Sequence, residues 1–112
     1  MNVSVELLIP PKLIGDEPEF VYETSQATTA RIDKFSVRNA DVEAHTISVY
    51  IKSVDVMVGP ENAVLLDFTV PSETTIELSQ MRHVVPPGFQ VFASASVAEQ
   101  LLIIASGVVF SP

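Results

Sequence analysis

The stretch from Arg82 to Phe110 constrains the fold most, because it contains a tight turn followed by two strand-like segments. In Pro87-Gly88, proline presets φ for the second position of a type II turn, and glycine accepts the positive φ of the third. Residues 89–97 then alternate between apolar side chains and mostly small polar ones, whereas residues 101–110 are apolar on both faces. We therefore predict two strands, the second of which lies between two layers or at a subunit contact.

Short segments of the same kind recur along the whole chain. Besides the two above and a brief strand within residues 80–85, the predicted strands are 3–9, 19–24, 28–39, 46–52, 64–70 and 73–78. Pro10-Pro11 is expected to stop the first, and Val54 to Val58 to continue the fourth. Helical propensity is low, with a single turn predicted around Ser79 to His83.

The predicted fold is an all-β antiparallel sandwich of about eight or nine short strands, either jelly-roll or immunoglobulin-like. Within strand 28–39, Phe35 and Val37 share one face and Ile32 falls on the other, which requires a bulge or a strand covered on both sides. We divide the chain into an N-terminal strand, or arm, with its connector at residues 1–18 and a sandwich domain at residues 19–112.

Composition excludes several classes of function. The chain has 112 residues and a net charge of −8, with six Lys and Arg against fourteen Asp and Glu. This balance argues against binding nucleic acid or an anionic membrane surface. The absence of cysteine excludes disulfides, zinc–thiolate sites and thiol nucleophiles. The N-terminus lacks the features of a signal peptide, and the longest apolar run is half of the ~20 residues that a membrane helix needs, so we predict a soluble, non-exported chain.

No motif predicts a catalytic, cofactor-binding or metal-binding site. His45 and His83 have no metal-ligand spacing, so surface or loop-packing roles are expected. The densest acidic cluster, Asp16, Glu17 and Glu19, matches no calcium loop and is interpreted as a solvated connector. The chain has no Gly-x-Ser-x-Gly elbow and no glycine-rich phosphate loop. We therefore predict that the protein is not an enzyme.

Some apolar residues fall on strand faces that are expected to face solvent, which indicates either a second packed layer or an interface with a partner. They are Leu8, Tyr50, Leu65, Phe92 and one face of residues 101–104. The segments 7–14 and 101–110 are the predicted contact surfaces. The contact residues predicted within them are Leu7, Leu8, Ile9, Leu13, Ile14, Leu101, Ile103, Val109 and Phe110.

The order of segments over residues 20–110 resembles a family of small bacteriophage virion proteins. The segments that carry the resemblance are Val21-Tyr-Glu-Thr24, Ala30 to Asn39, Thr46 to Ile51, Val70-Pro-Ser-Glu-Thr74, Val84-Val-Pro-Pro-Gly88, Ala93-Ser-Ala-Ser96 and Ile104-Ala-Ser-Gly-Val108. The chain departs from that family at Val54 to Val58, where a glycine- and serine-rich loop is expected, and in its proline-interrupted residues 1–18.

The resemblance implies a structural component of a phage head or tail, such as a capsid decoration protein. Such a protein is made in the bacterial cytoplasm, and its partners are its own copies and other virion proteins. The alternative is a module that binds a carbohydrate or a host receptor. Sugar binding ordinarily uses exposed Trp or Tyr, and this chain has no Trp and only Tyr22 and Tyr50.

Overall fold

The computed structural model describes all residues from Met1 to Pro112. It contains nine strands and two 3₁₀ turns, at Pro60–Asn62 and Ser79–Met81, and neither turn is long or apolar enough to cross a membrane. The strands are β1 (Asn2–Leu13), β2 (Glu19–Glu23), β3 (Thr29–Asn39), β4 (His45–Ser53), β5 (Ala63–Val70), β6 (Thr74–Glu77), β7 (Val84–Val85), β8 (Phe89–Ala95) and β9 (Leu101–Ser111).

The strands form two antiparallel sheets that pack face to face, which confirms the predicted sandwich. Sheet A has the order β1-β9-β3-β6, with β7 paired to the other end of β3. Sheet B has the order β2-β8-β4-β5. Every connection except β4–β5 and β6–β7 crosses from one sheet to the other. This interleaving is the connectivity of a jelly roll and differs from that of an immunoglobulin domain.

The core lies between the sheets and contains twenty buried apolar residues. Its largest fully buried side chains include Phe35, Ile47 and Ile103, one from each of β3, β4 and β9. The turn before β8 is built as predicted, because Gly88 has a φ of 75° that a side chain would strain. The predicted helical turn and the brief strand before Pro86 are present as Ser79–Met81 and β7.

A bulge in β3 resolves the conflict in its apolar pattern. The pairing of β3 with β9 shifts between Ile32 and Lys34, so Ile32 and Phe35 both face the core while Asp33 turns outward. The backbones of β3 and β9 lie close together here, because a Cβ at Gly107 would clash with the carbonyl oxygen of Arg31. Of the two predicted explanations, the bulge is confirmed.

Two predicted strand boundaries are wrong. β1 does not stop at Pro10-Pro11 but continues to Leu13, because it is an edge strand whose pairing shifts between Ile9 and Lys12 and so tolerates missing N–H groups. β4 does not continue through Val54 to Val58, which form an exposed loop. Beyond Ser53 no strand is left to pair with, since β8 begins at Phe89, opposite Ser53.

β1 pairs with β9 over most of its length, and Leu8, Ile9 and Ile14 belong to the same core cluster as the rest of the sandwich. The connector after β1 is held by backbone hydrogen bonds from Ala95 to Gly15 and from Glu99 to Ile14. A separate role for residues 1–18 as an arm stays a prediction.

Candidate interaction surfaces

The outward face of sheet A, called face A here, exposes a row of apolar side chains at its β1 edge. Val3, Val5 and Leu7 are 59 %, 85 % and 52 % exposed, and they lie opposite Phe110, Val108 and Ser106 of β9. Leu13 continues the row beside Leu102. Residues directly opposite each other in antiparallel strands share a face, so apolar side chains cover two adjacent strands of a surface that faces solvent.

A register shift puts these residues outside. The pairing of β1 with β9 runs regularly up to Leu7, and then Leu8 is an extra residue before Ile9 pairs with Ala105. The shift reverses which side chains face the core. Leu8 and Ile9 are therefore both buried, while Val3, Val5 and Leu7 point to solvent.

A shallow groove crosses the middle of face A. It has a volume of about 260 Å³ and is lined by Leu7 of β1, Ile104 and Ser106 of β9, and Lys34 and Ser36 of β3. The serine side chains are shorter than those of Leu7 and Lys34, which leaves space between them. The floor of the groove is the sheet surface of β3 and β9.

Basic side chains line the β3 side of face A. Arg31, Lys34 and Arg38 project outward from β3, and Arg82 lies beside Arg31 in a cavity of about 390 Å³ that also contacts His83. Face A thus carries four of the six basic residues of an acidic chain. Because the opposite half of the face is apolar, face A is divided into an apolar strip on β1 and β9 and a basic strip on β3, in which Lys34 pairs with Glu77 at 3.9 Å.

The β3 bulge creates an ion pair in this basic strip. Arg31 donates to both carboxylate oxygens of Asp33, at 2.7 and 3.2 Å, and its guanidinium lies 5.8 Å from the Phe110 ring centre. The hydrogen bond to Asp33 raises the pKa of Arg31, and the same bond lowers the pKa of Asp33. Both groups stay charged at neutral pH, and neither can act as an acid or base there.

The outward face of sheet B carries a different feature, a row of aromatic rings. Phe20, Phe92 and Tyr50 occupy neighbouring positions on β2, β8 and β4, and the rings of Phe20 and Phe92 meet edge to face with centroids 6.1 Å apart. The ammonium group of Lys52 lies 5.0 Å from the centre of the Phe92 ring. Tyr50 is only 9 % exposed, so Phe20 is the one ring largely open to solvent.

The two histidines lie in different surroundings, one in a loop contact and one at the cavity beside Arg82. His45 bonds through Nε2 to Asp41 at 2.7 Å and packs the β3–β4 loop against β4. That bond, with a second one from the backbone N–H of Val42, lowers the pKa of Asp41. His83 lines the cavity beside Arg82. Nowhere does the structure bring three metal-ligating His, Asp or Glu side chains together.

The structure divides the nine predicted contact residues into three groups. Leu7 and Leu13 are half exposed on face A, and Val109 and Phe110 are partly buried near the end of β9. The remaining five lie in the core: Leu8, Ile9, Ile14, Leu101 and Ile103. Those five side chains contact the opposite sheet of their own chain and are not available to a partner. Of the residues expected on wet faces, Leu8 and Leu65 also belong to the core.

Sequence reasoning missed Val3, Val5 and Val84, which are three of the exposed apolar residues of face A. The signal was present, because Val3, Val5 and Leu7 alternate with polar residues. The pattern marked one apolar face but did not show that the bulge at Leu8 turns that face away from the core.

Comparison with known proteins shows similarity of fold only. No protein-family model and no curated protein matches the chain. A subunit of Bacillus endospore appendages, which form disulfide-linked pili, is 9 % identical with a TM-score of 0.57, over 97 % of this chain and 88 % of that one. A protein of the infectious bursal disease virus Gx strain is 11 % identical with a TM-score of 0.53, over 96 % and 30 %.

A protein of the T13 particle of infectious bursal disease virus is 10 % identical with a TM-score of 0.50, again over 96 % of this chain and 30 % of that one. This chain therefore spans less than a third of the viral chains that it matches. The similarity places it among β-sandwich folds that also occur in proteins of pili and virus particles.

Proposed function

We propose that this chain is a non-enzymatic structural protein that assembles non-covalently in many copies as part of a bacteriophage virion. Its site would be the head, as a decoration protein, or the tail. The observation that carries the proposal is the apolar strip of face A, where Val5 is 85 % exposed and Val3, Leu7 and Leu13 are each at least half exposed. A contiguous apolar surface of this kind typically marks a protein–protein contact.

The fold supports the same proposal. Jelly rolls are frequent in capsid proteins, and the pilus and virus proteins with a similar fold come from assemblies of many subunits. The Bacillus pili are disulfide-linked, whereas this chain contains no cysteine. Its contacts with other copies or with other virion proteins would therefore depend on packing, hydrogen bonds and charge.

The charge of −8 also bears on the partners. Two acidic copies repel each other at long range, so association requires a contact surface on which few acidic groups meet. Face A meets this requirement, since its outward side chains are apolar on β1 and β9, and its acidic groups Asp33 and Glu77 pair with Arg31 and Lys34 of β3. The same acidic balance disfavours nucleic acid and anionic membranes as partners.

The test is the solution mass, measured by light scattering behind a sizing column over a hundredfold range of protein concentration. We expect masses that rise towards multiples of 12.1 kDa as the concentration increases. A single 12.1 kDa species at every concentration would contradict self-assembly. Immunogold labelling of phage particles purified from a lysate tests the virion assignment, and unlabelled particles would contradict it.

A carbohydrate- or receptor-binding module is the second candidate, and the aromatic row of sheet B is the observation that favours it. It ranks below assembly because Tyr50 is nearly buried and the Phe20 ring meets Phe92 edge to face, which leaves no broad flat platform for a sugar. A glycan array separates the two, since specific binding that is lost on Phe20→Ala would favour the module.

A further inference from the structure

We propose that residues Val3–Leu7 of β1 pair antiparallel with the same residues of a second copy, which joins two A sheets into one continuous sheet. The inference rests on the proposed function and names the contact through which the first association step occurs. The contact uses the backbone N–H and C=O groups at the free edge of β1. The apolar side chains of the same residues lie beside that edge on face A.

The edge of β1 is open for such pairing. β1 is the terminal strand of sheet A, and its strand pairing is to β9 alone. None of the backbone hydrogen bonds outside the sheets involves residues 1–13, and no side-chain hydrogen bond is made to their backbone. A strand edge with free N–H and C=O groups is a template for another strand.

The remaining edges of the sandwich are protected, and this contrast identifies β1. β2 has only five residues, contains a bulge after Phe20 and carries a glutamate at each end. β5 shifts register twice against β4, with Asp67 at a positive φ of 48°. The last edge is split between the short strands β6 and β7. Bulges, charges and short strands are the usual protection against edge pairing.

The first half of β1 has the fewest of these protective features, with Glu6 as its one charge. Residues Asn2–Leu7 contain no proline, no lysine and no register shift, whereas the second half contains Pro10, Pro11 and both shifts. Pairing would therefore end near Leu7, where the bulge begins. This length, five to six residues, is typical of a natural strand pair.

The alternation of side chains restricts the register. The outward faces of both copies lie on the same side of a joined sheet only when opposite residues are both odd or both even in number. With Val5 on the twofold axis, Val5 lies opposite the partner's Val5 and Val3 lies opposite the partner's Leu7. All three exposed apolar residues of the edge then meet an apolar residue, and the apolar strip of face A becomes continuous across the two copies.

Charge selects the same register. Glu6 is the only charged side chain in Asn2–Leu7, and with Val5 on the axis it lies opposite the partner's Ser4. A shift that puts Glu6 on the axis would set the two carboxylates directly opposite each other, which is destabilising. A shift that puts Ser4 on the axis would set Leu7 opposite the partner's Met1, which precedes β1, so of the exposed apolar residues only Val3 and Val5 would lie opposite a residue of the partner's strand.

A single cysteine tests both the contact and the register, because the chain contains none of its own. Residues opposite each other on the axis have Cα atoms about 4.5–5.5 Å apart, which lies within disulfide range. We expect Val5→Cys to give a disulfide-linked dimer under mild oxidation. Val3→Cys is the register control, because its sulfur lies about 13 Å along the strand from the same residue of the partner. Met57→Cys, equally exposed on a loop, measures random collision.

A second variant tests the contact without covalent cross-linking. Val5→Lys places two ammonium groups opposite each other, and because Val5 is 85 % exposed the substitution leaves the fold intact. We expect the concentration at which half the chains associate to rise by about tenfold or more. Met57→Lys is the matched control and should leave that concentration unchanged.

The outcomes separate this inference from the proposed function. If the unmodified protein is monomeric at all concentrations, both fail. If it associates, but Val5→Cys is linked no faster than Met57→Cys and Val5→Lys associates normally, edge pairing is wrong and self-assembly through another surface stands. Efficient linkage of Val3→Cys instead of Val5→Cys would also overturn the proposed register.

Discussion

The two halves of β1 contain similar apolar residues that differ in their exposure to solvent. Val3, Val5 and Leu7 in the first half face solvent, whereas Leu8 and Ile9 in the second half fill the core. Neither hydrophobicity nor strand propensity distinguishes them. A single extra residue in the pairing with β9 does, because it reverses the face on which the following side chains lie. One half of a strand can therefore pack into the core of its own chain, while the other half exposes a row of apolar side chains that a partner could contact.

The sharpest test of this contrast replaces one residue from each half. Ile9→Ala should lower the free energy of unfolding by about 2–5 kcal/mol, because Ile9 is 1 % exposed and its loss leaves a cavity. Val5→Ala should change it by less than about 0.5 kcal/mol. Urea unfolding under conditions where the protein is monomeric measures both. Equal effects at the two positions would contradict the assigned faces.

β5 offers the same contrast within one pair of leucines. Leu65 is 8 % exposed and lies in the core, while Leu66 is 54 % exposed. There the extra residues lie opposite Ser48, whose hydroxyl accepts a hydrogen bond from the N–H of Asp67 at 2.9 Å. We expect Leu65→Ala to lower the free energy of unfolding by about 2–3 kcal/mol and Leu66→Ala to have little effect. A large effect of Leu66→Ala in the monomer would place the bulge elsewhere.

Gly107 tests how tightly the β3 bulge packs on β9. In Gly107→Ala the new methyl group would meet the carbonyl oxygen of Arg31, which β3 cannot move without disturbing the bulge. We expect a loss of about 1–3 kcal/mol in the free energy of unfolding, measured by urea or thermal unfolding. Gly15→Ala is the control, because its new Cβ would make only ordinary contact with Glu19 at 3.6 Å. Its effect should stay within about 1 kcal/mol.

The smallest expected effect concerns the exposed pair that the β3 bulge brings together. The hydrogen bond from Arg31 lowers the pKa of Asp33, so the contribution of the pair to stability is complete above the unfolded pKa of about 3.9 and is lost as the pH falls through the lower folded pKa. In Arg31→Gln the pKa of Asp33 should rise towards its ordinary value, as measured by NMR titration of the carboxyl carbon.

Arg38→Gln is the matched control for this titration, because Arg38 lies on the same strand and does not contribute to the pKa shift of Asp33. An Asp33 pKa that is unchanged in Arg31→Gln would show that the ion pair is not formed in solution. Global stability should change little in either variant, since pairs between exposed groups contribute little.

Much of the fold could be predicted from local chemistry. The Pro87-Gly88 turn, most strand positions and the two-layer architecture follow from turn residues and alternation, and the apolar pattern of β3 left a bulge as one of two explanations. The choice between jelly-roll and immunoglobulin-like connectivity does not, because strand count and alternation are the same in both. The continuation of β1 through Pro10-Pro11 could not be predicted either, since proline is tolerated only where no neighbouring strand needs its N–H.

The exposure of the predicted contact residues followed from the sequence only in part, for the same kind of reason. The sequence placed the expected contacts at residues 7–14 and 101–110, where Leu7 and Leu13 are exposed, and their contact with a partner stays a prediction. It also included five core residues, because an apolar run on both faces fits a buried strand and an interface strand equally well. Alternation fixes which side chains share a face but leaves open which face meets the second sheet.

By itself, the sequence determined that this chain is an acidic, cysteine-free β protein with an apolar first strand, because composition and alternation are local properties. The tertiary structure decided that residues 3–7 of that strand lie outside the core and that β1 is the least protected edge. Register, bulges and strand order arise from pairing between segments far apart in the chain, and no local pattern encodes them.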